Sequence, residues 1–420
     1  MIRHLLKLVW NRRGANALIA VEMLVSFGVL LGVTTLAVNY ANNLRQPVGF
    51  DYRQVVRLEM DFDGARNDAL PGEKARSPQA DKLQTLQQLV LALRAVPGVE
   101  SVASASPTPF SQSTNSRDYQ RDGRRVSYRT SRASDGFAEV VGLRLTRGRF
   151  FTREDDAASW EPVVINERLA REVFGAKDPI GKDIGARSMG GGQDGAPPGA
   201  PPEPERRVVG VIEAYRQEGE YDEPGNYLLE RQRLDGADSA AERLPRDLLL
   251  RVSAGSTAEL EQRLLETARG VARGWTFRAE PLPLARERVS RIFLAPVMIV
   301  GLVAAFLAIM VALGLTGVLW LAVTRRTREI GLRRAKGATR GDIRVQILAE
   351  IVILTTMALA PGVALAMQLP LVGALPVAGG VFATSLALSV AGIYLLAILC
   401  AWYPARLAVA VEPTEALRYE

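Results

Sequence analysis

Charged residues are nearly absent from four stretches of this chain and crowd the remainder. Residues 15–38 hold one acid, Glu22, among apolar and small residues, and residues 292–324 hold no charge at all. Residues 345–369 hold only Glu350, and 377–403 hold none. A bilayer core of about 30 Å needs about 20 helical residues, so each stretch is long enough to cross. The second run exceeds one perpendicular crossing, which predicts a tilted helix or one that projects beyond the bilayer. Its pattern extends back through 284–291 as a stalk. Pro370 and Pro376 bracket a short turn between the last two runs, because proline disfavours helix in the residue before it.

Between the first two runs the pattern changes. Residues 51–61 alternate as a strand, and 82–96 place apolar residues at helical spacing. Pro97-Gly98 ends that helix, and 99–105 begins another strand. A further strand is expected over 247–252 and a helix over 258–273. Two strand–helix pieces thus flank a stretch, about 106–245, of shorter strands and turns. This predicts a small α/β domain split by an inserted lobe. Residues 187–205 are rich in Gly and Pro and read as a loop.

Composition and charge then fix orientation. The formal net charge is +7 and the mean hydropathy +0.06. The excess is not spread evenly: residues 39–290 carry 37 basic and 38 acidic residues, whereas 323–345 alone hold eight basic ones. A nucleic-acid-binding face is excluded by this distribution, and membrane orientation explains it. With positive charge inside, Arg3, Lys7, Arg12, Arg13, the 323–345 loop and the C-terminus are cytoplasmic, and 39–290 lies outside. An uncleaved anchor is expected over 15–38. The run is longer than a signal peptide's apolar region of about 7–15 residues, and no A-x-A site follows. One cysteine, Cys400, and one histidine, His4, exclude an internal disulfide and remove most triads and zinc sites.

The segment 324–339 carries more than topology requires. Charge alone would not place Glu329 between Arg328 and Ile330, nor set Gly331, Ala335, Gly337 and Ala338 where backbone can be approached closely. Thr327-Arg-Glu-Ile-Gly-Leu-Arg-Arg-Ala-Lys-Gly-Ala338 resembles the T-R-E-I-G-[IL]-R-[RK]-A-[LI]-G-A signature of MacB/FtsX-type ABC transporter permeases. Lys336 departs from it. Tyr403-Pro-Ala-Arg406 and Glu412-Pro-Thr-Glu-Ala-Leu-Arg418 resemble the family's ending. Outside, 137–156, 163–182 and 208–212 are similar to its periplasmic core domain. The resemblance covers essentially the whole chain.

It implies a membrane protein of four transmembrane helices with a large α/β extracytoplasmic domain, porter-like with an inserted sabre-like lobe, between helices 1 and 2. The expected order is an amphipathic cytoplasmic segment at 1–14, a first crossing at 15–38 and the outer domain at 39–290. A second crossing with its stalk spans 291–324, a cytoplasmic coupling helix 325–344, further crossings 345–369 and 377–403, and a cytoplasmic tail 404–420. Thr327, Arg328, Glu329, Ile330, Gly331, Leu332, Arg333, Arg334, Ala335, Gly337 and Ala338 form the expected ATPase-coupling contact. The acid and arginines would pair with the ATPase subunit while Ile330 and Leu332 fill its groove. No G-x-x-x-x-G-K-[ST] occurs, so no catalytic residue or cofactor is assigned to this chain. ATP and Mg are expected on the partner ATPase. A second permease copy or a paralogue, and a periplasmic adaptor, are the other partners implied, in a bacterial inner membrane.

Weaker signals have bland alternatives. Gly28 and Gly32 form a GxxxG that is a candidate dimer contact and also common by chance. Glu22 and Glu350 read first as interfacial or interhelical hydrogen-bonding groups, ahead of proton coupling. Glu154-Asp155-Asp156 lacks alternating calcium-ligand spacing and reads as a turn or helix start. Residues 1–14 fit an interfacial helix or an ordinary leader. The leading function is mechanotransmission for export of a peptide, antibiotic or other amphiphile. Its rivals are lipoprotein release and FtsX-like control of a cell-wall hydrolase.

Overall fold

The computed structural model describes residues 13–62, 79–121, 124–185, 205–233, 244–255, 258–325, 332–333, 336–373 and 377–410. The expectations for 1–12, for 187–204 of the Gly/Pro-rich loop, for Pro376 and for the 412–418 ending lie outside them. The chain divides into two compact units, one of residues 1–42 with 293–420 and the other of residues 43–292.

Among the described residues, four helices are long and apolar enough to cross a membrane: Ala20–Leu44 within the Arg13–Leu44 helix, Leu282–Leu321, Arg340–Leu371 and Gly379–Arg406. All four meet in one apolar cluster, with Met23 from the first, Val311, Leu315 and Leu319 from the second, Ile351 and Leu354 from the third and Ala397 and Ala401 from the fourth. The close approach uses glycine. A side chain at Gly362 would meet Leu24 Cδ1 at 2.7 Å. The second helix, Leu282–Arg325, is a single run of 44 residues, about 66 Å at 1.5 Å per residue. Its stalk begins two residues before the expected 284. The fourth helix continues through Pro404 to Ala410, past the proline motif where the tail was expected to begin. A proline costs a helix one donor and a local clash, which a long apolar helix absorbs.

The other unit is built on one sheet of ten strands. These are β1 (Val55–Asp61), β2 (Val99–Ser106), β3 (Asn115–Arg121), β4 (Arg124–Ala133), β5 (Leu145–Gly148), β6 (Glu161–Asn166), β7 (Arg206–Ile212), β8 (Tyr227–Arg231), β9 (Asp247–Val252) and β10 (Thr276–Pro281). Their order is β10-β1-β9-β2-β4-β8-β6-β7-β5, with β3 added on β4. The strands before 106 and after 245 pair with one another: β1 lies between β10 and β9, and β9 runs antiparallel to β2. Helices Gln79–Arg94 and Ala258–Val271 cover them through Leu86, Leu89, Leu93, Leu260 and Leu264. β9, with three consecutive buried leucines, is the central strand of this group. Only the end of β2, Ala105 and Ser106, pairs with β4 and joins the two groups of strands. The second group packs Val163, Ile165, Val208 and Leu228 against the Glu167–Phe174 helix. The Asn166 side chain caps that helix, accepting from Leu169 N–H at 3.1 Å and from Tyr227 N–H at 3.1 Å.

Candidate functional site

The described part of the segment expected to couple comprises Leu332, Arg333 and Lys336 onward; Thr327, Arg328, Glu329, Ile330, Gly331, Arg334 and Ala335 lie outside the described residues. Lys336 N–H donates to Leu332 O at 3.0 Å, closing a helical turn. Ala338 N–H then reaches back to Arg333 O at 3.0 Å across Gly337, whose φ is +99°. This six-to-one bond over a left-handed residue is a Schellman closure, and glycine adopts it without a Cβ penalty. The next helix starts immediately. Thr339 is its N-cap, accepting from Asp342 N–H at 3.2 Å, and Asp342 accepts from Thr339 N–H at 2.9 Å. The Arg340–Ala366 helix therefore begins five residues before the apolar run that marks it in the sequence, because this reciprocal cap fixes its start.

A chain of side chains fastens the two sides of this turn. Arg333 Nη1 donates to Gln346 Oε1 at 2.7 Å, and Gln346 Nε2 reaches Glu350 Oε1 at 3.5 Å. Glu350 is thus a hydrogen-bonding group near the start of the third apolar helix. Leu332 remains 49% exposed, an apolar side chain presented outward by a held turn. Sequence reasoning passed over Gln346, Thr339 and Asp342; the T-x-x-D spacing of 339–342 was the available signal. Gly28 and Gly32 are exposed, and a Cβ at either would meet nothing within 4 Å. They do not pack this chain's own helices. Glu22 lies against the second helix, where a Cβ at Gly314 would stand 3.0 Å from its Oε2.

A second assembly lies within the 43–292 unit, where the end of the first long helix and the start of the second enter it. Arg216, 2% exposed, donates from Nη1 to Asn43 O at 2.8 Å and to Gln46 O at 3.1 Å. From Nη2 and Nε it reaches Glu220 O at 2.5 Å and Asp222 O at 3.0 Å. Asn43 lies in the last turn of the Arg13–Leu44 helix, whose terminal carbonyls lack intrahelical partners. A guanidinium is a fitting cap for such a negative end. Four residues on, Glu220 accepts from Arg286 Nε at 2.8 Å, and Arg286 belongs to the first turns of the Leu282–Arg325 helix. Tyr52 joins them, its hydroxyl donating to Glu220 at 3.3 Å.

Glu218 sits in the same loop. Its Oε1 accepts from Gln112 N–H at 3.0 Å and Gln217 Nε2 at 3.2 Å, while buried Oε2 has no hydrogen-bond partner among the described residues. Burial pushes its carboxyl up to about 7. Gly219, at φ +84°, brings the backbone so close to Phe110 that a Cβ would stand 2.7 Å from the ring. The acids 154–156 form the helix start expected: they lie in the 3-10 turn Arg153–Ala157, with Asp155 held by Arg149 and Asp156 by Arg231. Among the described residues no acidic, cysteine or histidine cluster fits a metal.

Comparison with known proteins agrees with this architecture. The family model of the MacB-like periplasmic core domain matches residues 24–267, and that of the FtsX-like permease C-terminal domain matches 289–413. The macrolide export ATP-binding/permease protein MacB of Hahella chejuensis is 28% identical over 414 residues, covering 95% of this chain and 58% of that protein. The MacB of Chromobacterium violaceum is 30% identical over 68% of this chain and 42% of its own length. The chain thus spans about half the length of such relatives. An uncharacterized ABC transporter permease, YknZ of Bacillus subtilis, is 24% identical over 95% of both chains. With four apolar helices and an α/β domain between the first two, the chain belongs to the MacB/FtsX-type ABC transporter permeases, membrane proteins with an extracytoplasmic domain.

Proposed function

We propose that this chain is the force-transmitting permease of a MacB-like exporter. A partner ATPase, carrying ATP and Mg, presses on residues 325–344, and the resulting motion reaches the outer α/β unit. The observation that carries this reading is the unbroken Leu282–Arg325 helix. Its first turns are tied to Glu220 of the α/β unit, and its last residue opens the coupling segment. The helix runs continuously through Pro296, so its two ends are joined by one hydrogen-bonded element. The Schellman closure and the Thr339 cap supply a second held element, so a push on Leu332 is passed on to the third helix.

The basic residues flanking the apolar runs support a topology with both termini in the cytoplasm, in a bacterial inner membrane. Two copies, or one copy and a paralogue, complete the unit, with Gly28 and Gly32 on a face open to the second. A periplasmic adaptor fits the same arrangement. The cargo class is a peptide, antibiotic or other amphiphile; the macrolide named for the MacB relatives falls within it. Coupling is tested by co-purification. Glu329→Lys should release the partner ATPase from an otherwise intact permease, and ATPase retained in full amount would overturn the assignment.

A further inference from the structure

The segment 107–113 is held by the 215–222 loop in a conformation that its residues disfavour. Phe110 and Gln112 both adopt left-handed backbone, at φ +59° and +57°. Side chains other than glycine keep such angles only where the surroundings impose them. Here two neighbouring residues of the loop do so. Phe110 N–H donates to Gln217 O at 2.9 Å, and Gln112 N–H donates to Glu218 Oε1 at 3.0 Å. The Gln217 side chain adds bonds from Nε2 to Ser113 O at 2.6 Å and to Ser111 Oγ at 3.2 Å.

Glu218 is the weak member of this clasp. It is buried, and an ionised carboxylate presents about four acceptor sites. Two donors meet Oε1, and none among the described residues meets Oε2. The groups facing it from neighbouring elements do not relieve this. Asp222 brings like charge, and Arg129 on β4 pairs with Asp222. The Tyr227 hydroxyl approaches from β8 but is bonded to Ser131 Oγ at 2.5 Å and Gln217 Oε1 at 2.8 Å. The buried Tyr215 hydroxyl faces Glu218 from the loop itself, without a hydrogen bond to it. Residues 107–113 carry no titratable side chain. The neutral acid therefore suits the site, in line with the rise of its carboxyl to about 7. The ionised form needs water, which reaches Oε2 when the loop lifts.

The same loop grips both long helices, through Arg216 on the Asn43 and Gln46 carbonyls and through Glu220 on Arg286. We propose that Glu218 makes the 215–222 loop a proton-operated latch on the end of the Arg13–Leu44 helix and the start of the Leu282–Arg325 helix. Protonated Glu218 keeps the loop shut. Ionised Glu218 lets it lift, and the strained 110–112 backbone relaxes with it. A carboxyl that holds its proton more tightly in the shut state favours that state at acid pH, and the preference is lost as pH rises to neutrality. Acid in the extracytoplasmic medium thus tightens the seat of the two helices. The latch does not depend on the proposed drive by an ATPase.

The test is amide hydrogen exchange of the full chain in detergent micelles at pH 5 and pH 8, each rate divided by the intrinsic rate at that pH. Residues 110–113 and 215–222 should open about tenfold more readily at pH 8, and 43–48 should follow them. Glu218→Gln, neutral at both values and close in shape, should keep the loop shut at both. Asp247→Asn removes another carboxyl that burial raises, to about 6, and should leave the loop's response as in the parent. Equal opening of the parent's loop at the two pH values overturns the proposal without recourse to any variant. A response that persists in Glu218→Gln or vanishes in Asp247→Asn does the same, as does a loop that opens while 43–48 stay protected.

Discussion

Glu218 and Arg216 carry consequences that belong to single residues. Burial raises the Glu218 carboxyl from its ordinary 4.5 to about 7, so the folded chain holds this proton more tightly than the unfolded one. Between those values the native state binds more protons, and stability falls as pH rises through the window. Above it the ionised, half-satisfied carboxylate costs on the order of 3 kcal/mol. Glu218→Gln should therefore be more stable than the parent at pH 8 and nearly equal to it at pH 4. Thermal unfolding of both proteins at the two pH values checks this, and an equal gap at both would refute it. Asp247, pushed up to about 6 by burial, titrates in the same direction in both proteins and drops out of the difference. Neither Glu218 nor Arg216 stood out in the sequence. Their roles arise because residues 43–46, 110–112 and 215–222 meet only after folding, and no local pattern records that. Gly337 reads in the sequence only as a close-approach position within an expected 325–344 helix, whereas its φ of +99° ends a turn there and a new helix starts at Arg340.

Among the helices and strands, the junction at 337–342 should be a local hinge that is held shut. Removing the reciprocal cap with Asp342→Ala should cost about 1 kcal/mol of helix-start stability. Amide exchange at residues 340–343 should then accelerate about fivefold while the α/β strands stay unchanged. Exchange at those residues indistinguishable from the parent would show that the turn is held by something else. Apolar run length made the four long helices legible, and strand–helix alternation gave β1, β2 and β9 with their two covering helices. Start points were less so. The third helix begins at Arg340 because Thr339 and Asp342 satisfy its first donors, and hydropathy does not register that. The fourth runs past Pro404 because one lost hydrogen bond does not outweigh the packing of Ala397 and Ala401.

For the molecule as a whole, the motif at 327–338 pointed to the family in the sequence, and the matches over 24–267 and 289–413 show it. The assembly around Arg216 was not legible, although it gathers the end of one apolar helix and the start of another into the outer unit. Under the proposed drive through 325–344, that assembly must change if work is to reach the outer unit. The decisive experiment is hydrogen–deuterium exchange of residues 215–222 in the complex with its partner ATPase, comparing ADP with a non-hydrolysable ATP analogue. Protection of this loop should change with nucleotide, and Glu329→Lys should abolish the change. Identical exchange in both nucleotide states of the intact complex would rule out force transmission to the outer unit through this loop.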